Sequence, residues 1–324
     1  MPLSEFKKLT DQHPDKEFCL SYVDGHSSFM SQNLVDRLDC DTRNSQQLEN
    51  GVIISEVERD KALLALPGES SEELKKMALF AQNIFLENGV NRVRHLTARK
   101  DHWKCLKKLE QEGLLKLNIE MFFSEFMGQS LKEAIDSFNS LKEESSSRVF
   151  ASGVKLFYDG SFGSDTAYTS LKDTILPRCS KEDLRKKIVK IFEKANAPVA
   201  VHTIGDRALE DVISIYSELD QSKETPALHL EHAPIFSKKT LEILRKQNLS
   251  CTFHFQPSHW TKDRKWYEKY KSKLKEHEIY PFEFLENHNY SFHFGSDAPV
   301  VDCSTEATLM GLELIESDRS RSKS

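Results

Sequence analysis

Beyond residue 70 the apolar residues of this chain keep switching between two spacings. Leu74, Met77, Ala78, Ala81, Ile84 and Phe85 recur at helical intervals behind a Ser70/Glu73 capping pattern, and Asn88-Gly89 ends the run. Residues 90–96 then read as a strand. A helix over 102–112 is closed by Gly113, and a strand over 115–123 puts Leu117, Ile119, Met121 and Phe123 on one face. Leu131, Ile135, Phe138 and Leu141 form the next helical stripe, and 149–157 the next strand. Leu184, Ile188, Ile191, Phe192 and Ala195 predict a helix leading to a buried strand at Val199, Ala200 and Val201. Ile213, Ile215 and Leu219 lead to a strand over 227–235, Leu241 and Leu244 to one over 250–255, and Phe284-Leu285 to one over 290–294. Seven strands, each preceded by a helix, predict an α/β fold: a parallel, TIM-like (β/α) barrel one strand short of eight.

The flanks read differently. Residues 1–69 hold a short apolar run at 18–23 and then polar, loop-like sequence, so an irregular segment is expected before the barrel; within it, 51–58 alternates enough for a strand or hairpin arm. Charged, serine-rich residues 317–324 are expected to be disordered, leaving 70–316 as an incomplete barrel domain. Closure of this barrel type takes eight strands, so an open edge is expected, covered either by the 51–58 segment or by a second chain in a homo-oligomer.

Chemistry concentrates at the strand ends. In VAVHTIGDRA, from Val199, His202 falls at the carboxyl end of a buried strand, Gly205 permits a tight turn, and Asp206 is placed to cap the helix that Ala208 and Leu209 begin. ALHLEHAPI, from Ala227, repeats the pattern with His232 at the strand end and Pro234 behind it. Two such histidines one βα unit apart suggest a shared metal; each alone also fits a core histidine satisfied by its neighbours. Lys155 lies among Val154, Leu156 and Phe157, where burial disfavours its charge. A neutral amine there can take up carbon dioxide and become a carbamate able to ligate metal, whereas a snorkelling or ion-paired lysine is the plainer reading. Asp297, in FHFGSDAPV, ends the last strand and can ligate metal and accept a proton, or cap the following helix. Asp159, Gly160, Ser161 and Gly163 form a loop that faces substrate or is a simple βα turn. Gln256, Ser258 and His259 follow the 250–255 strand as candidate pocket residues.

Composition narrows the class of partner. The chain has 324 residues, 38% hydrophobic and 30% charged, enough for one large barrel with well-solvated helix faces. A net charge of −6 argues against nucleic acid, so the basic, aromatic stretch 260–275 reads as a solvated lid helix. Six cysteines without close spacing indicate neither a zinc ribbon nor a disulfide framework. No apolar run is long enough for a membrane span, and the first residues are too polar for a signal peptide. The expectation is a soluble, cytoplasmic protein with a small-molecule ligand and neither membrane nor nucleic-acid partners.

Five of these segments carry a family resemblance. VKLFYDGSFGSDTA from Val154, VHTIGDRA from Val201, LEHAPI from Leu230, QPSH from Gln256 and GSDAPV from Gly295 resemble the amidohydrolase superfamily, specifically its YtcJ-like branch, amidohydrolase family 3, which is similar to N-substituted formamide deformylases. PDKEFCLSYVDGHSSFMSQ, from Pro14, resembles the segment that family inserts after its first barrel strand, with Gly25 and His26 matching. The resemblance implies a barrel of the metal-dependent hydrolase type, with Lys155 as the carboxylated lysine, His202 and His232 as metal ligands and Asp297 as ligand and general base. It further implies one or two divalent ions, zinc above all, and His26, Asp159, Ser161, Gln256 and Ser258 facing substrate. The family's β-sandwich and its first strand, which bears a His-x-His pair, have no counterpart here, and the chain stops soon after Met310 where the family continues. Without that pair the deeper metal position keeps only the carbamate and Asp297, while the position with His202, His232 and the carbamate is retained.

These readings converge on an enzyme: a metal-dependent hydrolase of non-peptide carbon–nitrogen bonds in an amide-like small molecule, acting through metal-activated water. Two others stand beside it. One is a catalytically inactive, truncated relative that serves only as a binding module, favoured by the absent ligand strand; the other is a deaminase of the same superfamily.

Overall fold

In the computed structural model the described residues are 3–21, 27–38, 40, 46–48, 51–55, 62, 65, 68–126, 129–172, 174–219 and 225–322. They divide into two compact units, one drawn mainly from Met1–Ser70, the other from Ser71–Glu125 and Gln129–Ser324.

The first unit is folded, not the irregular segment expected. Helices α1 (Leu3–Gln12) and α2 (Gln32–Leu38) accompany strands β1 (Cys19–Ser21), β2 (Ser27–Ser31), β3 (Gln46–Leu48) and β4 (Gly51–Ser55), which pair antiparallel in the order β1-β2-β4-β3. Met30, Leu34 and Val52 are buried in a small core of their own. Strands of three to five residues are too short to show a period in polar sequence, which is why only β4 was legible. Among the described residues that strand pairs with β2 and β3.

In the second unit, α3 (Ser71–Glu87) precedes β5 (Arg92–Ala98), α4 (Lys100–Gln111) precedes β6 (Asn118–Ser124), and α5 (Leu131–Leu141) precedes β7 (Val149–Phe157). The alternation continues through α6 (Lys181–Ala195), β8 (Val199–Thr203), α7 (Asp206–Leu219) and β9 (Leu228–His232). A short strand β10 (Ile235–Ser237) then leads to α8 (Lys238–Lys246), β11 (Cys251–Phe255), α9 (Trp260–Tyr270), β12 (His277–Ile279), α10 (Phe282–Asn287), β13 (Ser291–Phe294) and α11 (Thr305–Ser322). The seven anticipated strands form one parallel, curled sheet in the order β13-β11-β9-β8-β7-β6-β5, a half-barrel of the TIM-like type. Sequence patterning did not foresee the antiparallel pair of β10 and β12.

Register divides the sheet into two chemically distinct faces. Val154, Leu156, Val199, Val201, Leu228, Leu230, Phe253 and Phe255 share one face, all 0% exposed in the main hydrophobic cluster with the helices. The helices supply matching stripes: on α6 the buried residues are Leu184, Ile188, Ile191 and Ala195, with Ser180 capping the start and Asn196 ending it at φ 48°. The other face carries Ser124, Lys155 and Phe157, His202, His229 and Glu231, His254 and His293, because parallel pairing sets Lys155 beside Ser124, Phe157 beside His202, His202 beside Glu231, and His254 beside Glu231 and His293. Aliphatic burial against helices holds the fold, and the opposite face is free for polar chemistry.

Two further expectations are corrected. The C-terminal tail is helical through Ser322, because Asp318, 2% exposed, accepts hydrogen bonds from Trp260 Nε1 at 3.0 Å and from Arg264 Nε and Nη2 at 2.8 and 2.9 Å. For the same reason α9 is not a solvated lid: Trp260, Tyr267 and Tyr270 are buried, and only its lysine-bearing side faces water. Among the described residues no helix is long and apolar enough to cross a membrane.

Candidate metal centre

The carboxyl ends of β8, β9, β11 and β13 bring together His202, His232, His259 and Asp297. The rings of His202 and His232 stand 4.5 Å apart, inside the distance a shared ion requires, and those of His232 and His259 are 5.7 Å apart. His259 Nε2 lies 3.6 Å from Asp297 Oδ2, and His232, His259 and Asp297 offer donor atoms that all lie within 4.8 Å of one another. That spacing lets one ion reach all three after a small closing of side chains.

Backbone conformation brings His232 into this group. By strand alternation it belongs with Leu228 and Leu230 on the helix side, but the chain turns into the left-handed region at His232 (φ 72°) and Ala233 (φ 39°). Asp297 adopts φ 59°. Non-glycine residues in this region are strained, and such strain gathers where a side chain must be aimed.

Asp159 organises the turn that carries His202. It is 1% exposed, and its carboxylate accepts from the backbone amides of Ile204 at 3.0 Å, Gly205 at 2.8 Å and Tyr168 at 3.1 Å. Burial pushes its carboxyl up to about 7 against the pull of those amides. His202 Nε2 is 3.8 Å from that carboxylate and 3.0 Å from the Gly160 carbonyl, so the β7 loop fixes the imidazole from one side. Gly205 allows the close approach, since an added Cβ would overlap the Tyr168 carbonyl.

Asp206 serves this turn differently from the cap expected of it. Oδ1 accepts from the Ser170 amide and Oδ2 faces His277 Nε2, both at 3.0 Å, which ties the β7 loop and β12 to the start of α7. Burial works against the carboxylate, but the hydrogen bonds from His277, Ser170 and Thr169 outweigh it and hold the group down at about 2. A carboxyl lowered on folding stabilises the native state above its unfolded value of 3.8 and loses that contribution as pH falls towards 2. Asp206→Asn is therefore expected to cost roughly 2 kcal/mol at neutral pH. In urea titrations the gap between wild type and variant should close below pH 3, and a gap independent of pH would show that charge is not its source.

Lys155 is 1% exposed, and its Nζ has no hydrogen-bond partner among the described residues; it lies 4.9 Å from the Phe157 ring centroid. Burial lowers its ammonium to about 8 despite the opposing field of Glu231. A buried, orphaned amine fits the carboxylated lysine that the motifs imply, because a carbamate supplies the oxygens now missing from its surroundings. Gln256, 6% exposed, and Ser258, 2% exposed, likewise each bury a side-chain oxygen without a partner among the described residues. Ser161 is partly exposed and bonded to Ser164 within its own loop at 2.8 Å. His26 lies outside the described residues.

His259 is the ligand-capable residue that sequence patterning placed only in the pocket wall. It lies four positions beyond β11, where no strand-end rule applies, and the helical turn Pro257–His259 aims it at Asp297. Burial and the Lys262 charge lower its imidazole to about 4, so it is neutral, as a ligand must be, at ordinary pH.

Comparison with known proteins shows the fold and the family. An uncharacterized metal-dependent hydrolase from Pyrococcus horikoshii OT3 is similar in structure with a TM-score of 0.70 at 21% identity, over 94% of this chain and 64% of that one. A second, from Pyrococcus furiosus, gives 0.67 at 21% identity, over 92% and 62%. Protein LONG AFTER FAR-RED 3 of Arabidopsis thaliana is 30% identical over 163 residues, 48% of this chain and 27% of that protein. The chain thus spans less than two thirds of the length of each of these relatives. The family profile described as the amidohydrolase family matches residues 6–310. With that match over most of its length, and with histidines and an aspartate gathered at the ends of a parallel half-barrel, the chain belongs to amidohydrolase family 3.

Proposed function

We propose that this chain acts as a metal-dependent hydrolase of non-peptide carbon–nitrogen bonds in an amide-like small molecule, with N-formyl and N-acyl amines as the substrate class suggested by its motifs. The observation that carries the reading is the convergence of His202, His232, His259 and Asp297 at the strand ends, with the orphaned Lys155 on the same sheet. The donor set of imidazoles, one carboxylate and a prospective carbamate suits a divalent ion such as zinc. When bound, that ion polarises the substrate carbonyl and lowers the pKa of water. Asp297, partly exposed with its Oδ2 3.6 Å from His259 Nε2, is the group that in this reading accepts a proton from the attacking water and returns it to the leaving amine. Asp159 and Gly160 keep His202 oriented, and the unpartnered oxygens of Gln256 and Ser258 are available to the substrate's polar atoms.

Metal analysis of the purified chain is expected to find about one divalent ion per chain. His232→Ala should remove it together with amine release from N-formyl and N-acyl amines, while secondary structure by circular dichroism stays unchanged. A folded, metal-replete wild type that releases no amine across such a panel would favour a binding role. Metal content unaffected by His232→Ala would place the ion elsewhere.

A further inference from the structure

One set of concave-face residues has no task in the proposed reaction. Arg94 on β5 reaches across the sheet to β9, where its Nη1 donates to Glu231 Oε1 at 2.7 Å, and Glu231 is 1% exposed. The guanidinium carbon lies 4.7 Å from the Phe122 ring centroid, and Glu120 Oε2 is 3.9 Å from Nε. Arg94 Nε and Nη2 are nevertheless buried without a hydrogen-bond acceptor among the described residues. On β6, Ser124 is 0% exposed and its Oγ also lacks a partner. Ser124 is the register partner of Lys155, so the two side chains rise from neighbouring strands, about 4.8 Å apart, on the same face. Glu231 and Arg94 are the charged groups that act most strongly on Lys155.

Unsatisfied buried polar groups are rare, and here Arg94 and Ser124 bury them on the two strands that precede the one bearing Lys155, whose own Nζ is a third. What they lack in common is an acceptor. A carboxylate at Lys155 Nζ has two oxygens, enough to take one bond from the arginine fork and one from the serine hydroxyl. Resting on the carbamate reading given above, we infer that Arg94 and Ser124 hold the Lys155 carbamate, with Arg94 supplying balancing positive charge and Glu231 keeping Arg94 in place. In forming it, the lysine nitrogen attacks the carbon of carbon dioxide; a nitrogen–carbon bond forms, one carbon–oxygen π pair moves onto oxygen, and the nitrogen's proton is lost to buffer.

The test is carbon-13 NMR of full-length, metal-replete protein equilibrated with labelled bicarbonate, with intact mass and metal content measured in parallel. Wild type should show one carbamate signal. Occupancy at limiting bicarbonate is expected to fall at least about tenfold in the double variant Arg94→Gln/Glu231→Gln, which removes both buried charges together, and severalfold in Ser124→Ala. If the double variant does not fold, Ser124→Ala carries the test alone. Undiminished occupancy in the folded variants would overturn the role of Arg94 and Ser124 while leaving the carbamate intact. Absence of the signal from wild type itself would defeat the carbamate reading, and this inference with it.

Discussion

Lys155→Met is expected to move function and stability in opposite directions. Removal of a prospective ligand group should cut amine release by at least about a hundredfold, beyond what the loss of an outer partner costs a metal site, and should lower metal content with it. The chelator-treated variant should nevertheless be more stable than chelator-treated wild type. In the metal-free protein the ammonium is 1% exposed with no hydrogen-bond partner among the described residues, and burial has lowered it from 10.5 to about 8. That shift corresponds to roughly 3 kcal/mol of destabilisation while the lysine is charged, and methionine fills nearly the same space without it. A base lowered on folding contributes its stabilising term above the unfolded value and loses it as pH falls through the folded one. The variant's advantage should therefore be greatest at pH 7 and shrink towards pH 10. Urea denaturation at both values decides it; an equally stable or less stable variant at pH 7 would mean that the native state already satisfies the lysine.

Acid should unfold this protein early, and a single pair of histidines should account for much of it. His229 Nδ1 and His254 Nε2 lie 3.0 Å apart on β9 and β11, so one ring donates and the other accepts through an unprotonated nitrogen, and the two cannot both be charged. Burial first, and then the Arg94 charge, lower His229 to about 3 and His254 to about 2. Unfolded histidine titrates near 6.5, so the native state gives up stability from that pH downward at roughly 1.4 kcal/mol per pH unit for each ring. Two pH units below 6.5 the pair together has withdrawn roughly 5 kcal/mol, comparable to the whole stability of many domains. The two rings contribute equally down to about pH 3, below which His254, 8% exposed and lowered further, continues alone. Replacement of both by glutamine keeps a hydrogen bond possible and removes the titration, so the acid midpoint followed by circular dichroism should fall by at least one pH unit, by about the same argument. An unmoved midpoint would assign acid sensitivity to other groups.

The sequence by itself determined the sheet. Runs such as Val199, Ala200 and Val201 bury on both sides of a parallel strand, and stripes such as Leu184, Ile188 and Ile191 bury one side of a helix; both are local periodicities that survive without tertiary context. Strand ends were also legible, and with them His202, His232 and Asp297 as residues that meet at one rim. Tertiary structure decided what alternation could not. His232 joins His202 because the backbone leaves the extended region, and a turn beyond β11 carries His259 to Asp297. The charged residues Arg94 and Glu231 lie 137 positions apart and meet only when the sheet curls, so no window of sequence pairs them. The short strands of the first unit and the helical end of α11 escaped for a related reason. Their stability comes from partners remote in the chain, as when Trp260 and Arg264 draw Asp318 into a buried ion pair that composition alone reads as a disordered tail.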